Sequence, residues 1–194
     1  MEKIILASNN KHKIEQFKEF YKDIIILTLL DIGYVDDIEE TGETFFENAY
    51  IKAKTISLYA REKGYILPVI ADDSGLEVDA LNGEPGIYSA RYCGKHGNDS
   101  QNRKLLLKKL KNIHNRNAHY VACLVKYYPD DTYISSFGKT YGCIIDDERG
   151  NYGFGYDSIF YSYDLHKTFA QATNVEKSNI SHRSKAIENL KYIS

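Results

Sequence analysis

Two rhythms of apolar residues alternate along this chain, and their order predicts strands interleaved with helices. Ile4-Ile5-Leu6-Ala7 is a short apolar run of the kind that forms a buried strand, and Ile14, Phe17, Phe20 and Tyr21 then recur at helical spacing. Between them lies the polar turn Ser8-Asn9-Asn10-Lys11-His12-Lys13, with N-capping residues followed by cations. Ile24 to Leu30 reads as a second strand, and the segment from Asp31 to Gly42 is acidic and irregular. Thr44 and Glu47 have capping-box spacing and open a second helix with Ala49, Ala53, Ile56 and Ala60 on its apolar stripe. Asn48 and Lys52, four apart, share another face, from which Lys52 can reach over the helix start.

Ile66-Leu67-Pro68-Val69-Ile70 reads as a further buried strand, and Leu76 to Leu81 as an extended run with apolar residues at alternate positions. The stretch between them is Ala71-Asp72-Asp73-Ser74-Gly75. Turn formers crowd Leu81 to Gly86, and Asp99 or Ser100 can cap a third helix that buries Leu106, Leu107, Leu110 and Ile113. His119 to Tyr128 and Thr132 to Phe137 form a hairpin around Pro129-Asp130-Asp131, and Tyr141 to Ile145 extends the sheet. A last helix buries Ala186, Ile187, Leu190 and Ile193, with Glu176 to Arg183 leading into its start. The fold class is α/β.

Composition narrows the function classes. A chain of 194 residues suits one domain with a substantial core, or two lobes sharing a sheet. A net charge of -2, with acids and bases interspersed, disfavours nucleic acid as a partner. No apolar run approaches a membrane span, and Met1-Glu2-Lys3 leads into a strand instead of a signal peptide. The three cysteines, Cys93, Cys123 and Cys143, lie far apart without a Cys-x-x-Cys pair, so the expected setting is a reducing cytoplasm.

The chemistry concentrates in four places. Two adjacent acids at a buried strand are costly unless solvated, paired or bound to a cation. Successive strand side chains face opposite sides, so one of Asp72 and Asp73 is expected to face a cleft while the other braces the turn; an Asx-turn closing the strand is the plainer reading. The capped turn from Ser8 to Lys13 would suit a phosphate, or is an ordinary helix start with solvated lysines. Gly150 to Asp157 is a glycine-rich loop with three aromatics, open to close ligand approach and base stacking, or a loop with ordinary core aromatics. Lys177, His182 and Arg183 are donors clustered at a helix start, suited to an anion or a carbonyl. Jointly these residues suit a nucleotide polyphosphate with Mg²⁺. No Walker loop, dinucleotide fingerprint, Asp-x-Asp nucleophile or Ser-His-Asp set occurs.

Six ordered blocks carry a resemblance. They are Ala7-Ser8-Asn9-Asn10-x-x-Lys13, Glu40-Thr41-Gly42-x-Thr44-Phe45-x-Glu47-Asn48-Ala49-x-x-Lys52-Ala53 and Ala71-Asp72-Asp73-Ser74-Gly75-Leu76. Pro85 to Tyr92, Gly153-Phe154-Gly155-Tyr156-Asp157, and Glu176-Lys177 with Ile180-Ser181-His182-Arg183 complete them. In this the chain resembles the inosine triphosphate pyrophosphatase family, also called Ham1-like, from Leu6 to about Leu190. The resemblance implies an elongated mixed β-sheet flanked by helices, with two lobes, the active-site cleft between them, and a single domain over residues 1–194. It also implies a homodimer that hydrolyses inosine, deoxyinosine and xanthosine triphosphates to monophosphate and pyrophosphate.

By position, the resemblance makes Asp73 the proton acceptor and a Mg²⁺ ligand, with Glu40 helping to hold the metal. Ser8, Asn9, Asn10, Lys11, His12, Lys13 and Ser74 would line the nucleotide site, and Lys13 and Lys52 would neutralise the leaving pyrophosphate. Phe154, Gly155, Tyr156, Asp157, Lys177, His182 and Arg183 would take the base end; the last three donors are alternatives for the 6-oxo group. Asp72 is assigned to bracing. Two positions depart from the family pattern: Gln16 replaces a glutamate, and Ser158 a proline whose loss is expected to loosen the base-binding loop. Two rivals remain in view, a Maf-like pyrophosphatase for pyrimidine or modified nucleotides and a nucleotide-binding regulator without catalysis.

Overall fold

The computed structural model describes residues 2–193. Its elements run β1 (Lys3–Leu6), α1 (Lys11–Phe20), β2 (Ile25–Leu27), α2 (Phe45–Glu62), β3 (Val69–Val78) and α3 (Asp99–Lys109). They continue with β4 (Asn117–Tyr127), β5 (Tyr133–Ile144), β6 (Phe160–Ser162), β7 (Lys167–Thr168), α4 (Asn174–Ile180) and α5 (His182–Ile193). The strands make one seven-stranded sheet in the order β2-β1-β3-β4-β5-β6-β7. β1 is parallel to β2 and β3, with Ile4 opposite Ile26 and Leu6 opposite Ile70. β6 is antiparallel to β5 and to β7, so the sheet is mixed and the α/β expectation holds.

The chain divides into two compact units: Met1–Asp73, Ala122–Gly138 and Arg183–Ser194 in the first, Ser74–Val121 and Lys139–His182 in the second. In the first, Phe17 of α1 and Ala186, Ile187 and Leu190 of α5 pack with Ile4 and Leu6 of β1, Ile70 of β3 and Leu124 of β4. Ile4, Ile5 and Leu6 are all buried, which is why β1 reads as an unbroken apolar run rather than an alternating one. In the second, Leu76 and Val78 of β3 pack with Leu106 of α3, Tyr120 of β4, Phe160 of β6 and Phe169.

Several boundaries differ from expectation, each for a local reason. β3 runs unbroken from Val69 to Val78, so the two extended runs are one strand and no turn separates them at Ala71–Gly75. It starts later than Ile66 because Pro68 has no N–H for a ladder and Ile66 stays exposed. β2 ends at Leu27 because the Asp31 carboxylate accepts from both the backbone N–H and the hydroxyl of Thr28, each at 2.7 Å. The cap of α3 is Asn98, which accepts from Gln101 N at 3.3 Å, rather than Asp99 or Ser100. β5 is a single strand where two segments were expected.

The largest correction is near the C-terminus. Thr173 and Glu176 form a capping box that starts a separate helix, α4, so Lys177 lies inside a helix and not at the start of the last one. Ile193 is 51 % exposed instead of buried. Among the described residues, no helix is long and apolar enough to cross a membrane.

Ile187 is wholly buried in the first unit's core. Ile187→Ala should cost about 2–5 kcal/mol through lost burial and a residual cavity. Urea unfolding should show a lower midpoint with the slope retained.

Candidate active site

Asp72 and Asp73 follow each other on β3, so their side chains leave opposite faces of the strand. The surroundings of the two differ sharply. The Asp72 carboxylate is inaccessible to solvent, and one of its oxygens, Oδ2, takes both cations, Arg183 Nε at 2.5 Å and Lys13 Nζ at 3.4 Å. Arg183 is itself buried and donates from Nη1 to Gln16 Oε1 at 2.6 Å. Burial alone would raise the pKa of Asp72, but Arg183 and Lys13 outweigh it and hold the carboxyl well below its usual range. Lys13 is lowered, chiefly by burial.

Asp73 has a weaker counter-charge. Its Oδ1 lies 3.3 Å from Lys52 Nζ, and its Oδ2 accepts from Asn48 Nδ2 at 3.3 Å. Lys52 is shared, because the same ammonium donates to Glu40 Oε1 at 2.7 Å. Burial pushes Asp73 upward against the pull of Lys52, the charge of Glu40 adds to that push, and the net shift is up. Burial would lower Lys52, but Asp73 and Glu40 together raise it. Glu40 and Asp73 thus converge on one cation, and their hard carboxylate oxygens are the donor type that suits a divalent cation.

Helix starts place these groups. Asn10 caps α1, its side chain accepting from His12 N at 3.0 Å and Lys13 N at 3.3 Å, while Ser8 Oγ accepts from Asn10 N at 3.2 Å. The turn from Ser8 to Lys13 is therefore held by its own side chains, with Asn9, Asn10, Lys11 and His12 exposed and Lys13 turned in toward Asp72. The expected capping box of Thr44 and Glu47 starts α2. Just before it, Gly42 donates to Asn48 Oδ1 at 2.9 Å, and a Cβ at Gly42 would come within 2.6 Å of Glu47 Cβ. Only glycine allows that approach, which folds the segment carrying Glu40 back onto α2.

The remaining expected residues belong to the second unit. Ser74 is half-buried on β3. In the glycine-rich loop, Asp157 is buried, ion-paired with Lys177, and bonded through Oδ1 to Tyr120 Oη at 3.2 Å and through Oδ2 to Phe154 N at 3.1 Å. Gly153, at φ +81°, must lack a Cβ because one would sit 2.1 Å from the Asp157 carboxylate. Tyr156 is a core residue whose hydroxyl donates to Ser89 O at 2.9 Å, so it offers no stacking face. Phe154 is 40 % exposed and does, with Lys177 Nζ 5.4 Å from its ring centre. His182 stacks on Tyr120 at 4.9 Å.

The three expected donors are therefore not one cluster within a unit: Lys177 and His182 belong to the second and Arg183 to the first. Ser158 donates to Glu148 Oε2 at 3.0 Å and its carbonyl accepts from Arg149 N at 2.9 Å, which ties the loop where a loosening was expected. Sequence reasoning did not assign Asn48 or Tyr120 to the site. The spacing of Asn48 from Lys52 was a usable signal; Tyr120, on a strand distant in sequence, had none.

Proteins that resemble this chain are numerous. The Ham1 family profile matches residues 4–193. A protein of Clostridium perfringens named dITP/XTP pyrophosphatase is 50 % identical, over 98 % of this chain and 96 % of its own length. One of the same name from Haemophilus influenzae is 45 % identical over 98 % and 97 %. The solved structure of the Staphylococcus aureus Ham1 protein superposes with a TM-score of 0.88 at 44 % identity, covering 99 % of this chain and 97 % of that one. A match that spans the sheet, both helix starts and the glycine-rich loop places this chain in the Ham1 family.

Proposed function

We propose that this chain is a hydrolase that converts non-canonical purine nucleoside triphosphates (inosine, deoxyinosine and xanthosine triphosphates) to the monophosphate and pyrophosphate, clearing them from the nucleotide pool. Its relatives named dITP/XTP pyrophosphatase support that substrate class. One observation carries the mechanism: the adjacent acids of β3 are driven apart, Asp72 held down by Arg183 and Lys13 and Asp73 pushed up by burial. A carboxylate raised in this way is the better proton acceptor. Asp73 takes a proton from water as the water oxygen bonds to the α-phosphorus. The bond from that phosphorus to the α,β-bridging oxygen breaks, and pyrophosphate leaves with the electron pair. The proton on Asp73 then returns to solvent.

Asp72 takes no proton in this scheme. Its charge is satisfied by Arg183 and Lys13, and it fixes both cations and the strand that presents Asp73. Lys52, tied to Asp73 and Glu40, and Lys13, in the first turn of α1, oppose the charge gathering on the departing pyrophosphate. The turn from Ser8 to His12 adds hydroxyl, amide and cationic donors, and Ser74 lies next to Asp73 on β3. Mg²⁺ fits Glu40 and Asp73, which already share one cation; when bound it spreads the phosphate charge.

For the base we assign Phe154 as the stacking surface within the loop through Gly155, Tyr156 and Asp157. Lys177, His182 and Arg183 are the alternative donors to its 6-oxo group. An ammonium has three donors, and only one of Lys177's is taken by Asp157. A 6-oxo purine gives such donors an acceptor where adenine gives an amine. A site built on hydrogen bonds can discriminate by roughly ten-thousand-fold. The chain acts as one catalytic domain over residues 1–194, as a homodimer in the cytoplasm.

Pyrophosphate release from a panel of triphosphates tests the reading. Inosine and xanthosine triphosphates should exceed ATP, thymidine and uridine triphosphates, with Mg²⁺ required. Preference for the pyrimidines would point to the Maf-like rival, and binding without turnover to a regulator. Asp73→Asn should lower kcat by about 10²–10⁴-fold, as expected for loss of a general base, with nucleotide affinity nearly unchanged. Asp72→Asn should instead cost about 3–5 kcal/mol of stability at neutral pH, because Arg183 and Lys13 lose their buried counter-charge. The ionised Asp72 stabilises fully above about pH 5, and the benefit is lost as pH falls through the ordinary aspartate value toward the lower folded one. Acid titration of unfolding should therefore show the gap between Asp72→Asn and the parent closing as pH falls.

A further inference from the structure

The loop assigned to the base is held from outside by the helix α3. Gly155 N donates to Asp99 Oδ2 at 2.7 Å, and Arg103 Nη1 donates to Gly155 O at 2.7 Å. Asp99 and Arg103 are four apart, one turn along α3, so both ends of one glycine are gripped by one helix face. Arg103 Nε also donates to Glu148 Oε1 at 3.0 Å, and the second oxygen of Glu148 accepts from Ser158 at 3.0 Å. The bonds thus form a circuit from α3 through Gly155 on one side and through Glu148 to Ser158 on the other.

This circuit acts on Phe154. The direction of a side chain is set by the two peptide planes that flank its Cα. The plane before Phe154 is fixed by its N–H, which donates to Asp157 Oδ2 at 3.1 Å, and the plane after it by Gly155 N–H, which donates to Asp99. Gly155 itself stands at φ +61°, in the left-handed region, where its backbone is not restrained by a side chain. The orientation there has to come from the bonds it makes. Both are charge-assisted and short, the stronger kind of hydrogen bond.

We infer that Asp99 and Arg103 are positioning residues for purine discrimination: they clamp Gly155 and so hold the Phe154 ring where the base stacks. This rests on the reading of the loop as the base site. Both act through the backbone of Gly155. The pair should therefore act on how well a base is seated, while the acids of β3 continue to do the chemistry.

The test compares Asp99→Ala, Arg103→Ala and Asp99→Asn, the last keeping an acceptor oxygen. Each alanine variant should raise KM for inosine triphosphate about tenfold and narrow its preference over ATP, since small misplacements of a bound group are costly. Turnover of saturating substrate and the melting temperature should hold, and Asp99→Asn should stay within about twofold of the parent in KM because its bond to Gly155 survives. A folded alanine variant with unchanged KM and preference would overturn the inference, as would equal losses on inosine triphosphate and ATP. If Asp99→Ala does not fold, Arg103→Ala decides by the same readings. Amide exchange at Phe154 and Gly155 provides a reading independent of catalysis: it should quicken in the alanine variants, and unchanged exchange would refute the clamp. A parent protein that ignores inosine triphosphate would reject the proposed function, and exchange would still decide the clamp.

Discussion

A fully buried carboxylate on a central strand constrains everything around it. Asp72 could not stay ionised inside a core without compensation, since unpaired burial of charge costs several kcal/mol. Two cations answer it, and they come from opposite ends of the chain, Lys13 from α1 and Arg183 from α5. The helices α1 and α5 also pack their apolar faces into one core with β1, β3 and β4. Hydrophobic burial brings the helices to the sheet without fixing how they lie along it. The ion pairs add direction, requiring that one side chain of each helix reach Asp72 Oδ2.

Fixing Asp72 has a consequence for its neighbour. A β-strand turns successive side chains to opposite faces, so holding Asp72 on one side presents Asp73 on the other. There the compensation is thinner, with one lysine divided between Asp73 and Glu40 and an amide from Asn48. The two acids therefore share a strand and have opposite shifts, and the difference lies in their counter-charges rather than in their burial. Gln16 fits the same logic. As a neutral acceptor for Arg183 it relieves one guanidinium donor without competing with Asp72 for the positive charge.

What could be read in the sequence was what depends on near neighbours. The cap of α1, the box of Thr44 and Glu47, and the buried apolar run of β1 follow spacings of a few residues and were legible. The box of Thr173 and Glu176 carried the same signal and was passed over, because the helix it opens has only seven residues and no buried residue to give a period. The unbroken β3 was hidden by its own chemistry. Adjacent aspartates, a serine and a glycine look like a turn until the cations that neutralise Asp72, 59 residues before it and 111 after it, are known. Glu40 and Lys52 could be named from the resemblance, while their meeting depends on Gly42 lying close against α2. Tyr120 joins Asp157 and His182 through contacts made only in three dimensions.

The second unit treats a buried acid in the manner of Asp72 but with a different outcome. Asp157 has Lys177 for its charge, Tyr120 for one oxygen and the Phe154 amide for the other. All of its hydrogen-bonding capacity toward the loop is used to shape that loop, and Gly153 is glycine because the carboxylate comes so close. Its carboxylate is thereby committed to the shape of the loop. Among the buried aspartates of the described residues, Asp73 is the one whose lysine is shared with another acid, Glu40. Chemistry is left to the acid whose counter-charge is divided with a neighbour, while Asp72 and Asp157, with cations of their own, hold the helices and the loop in place.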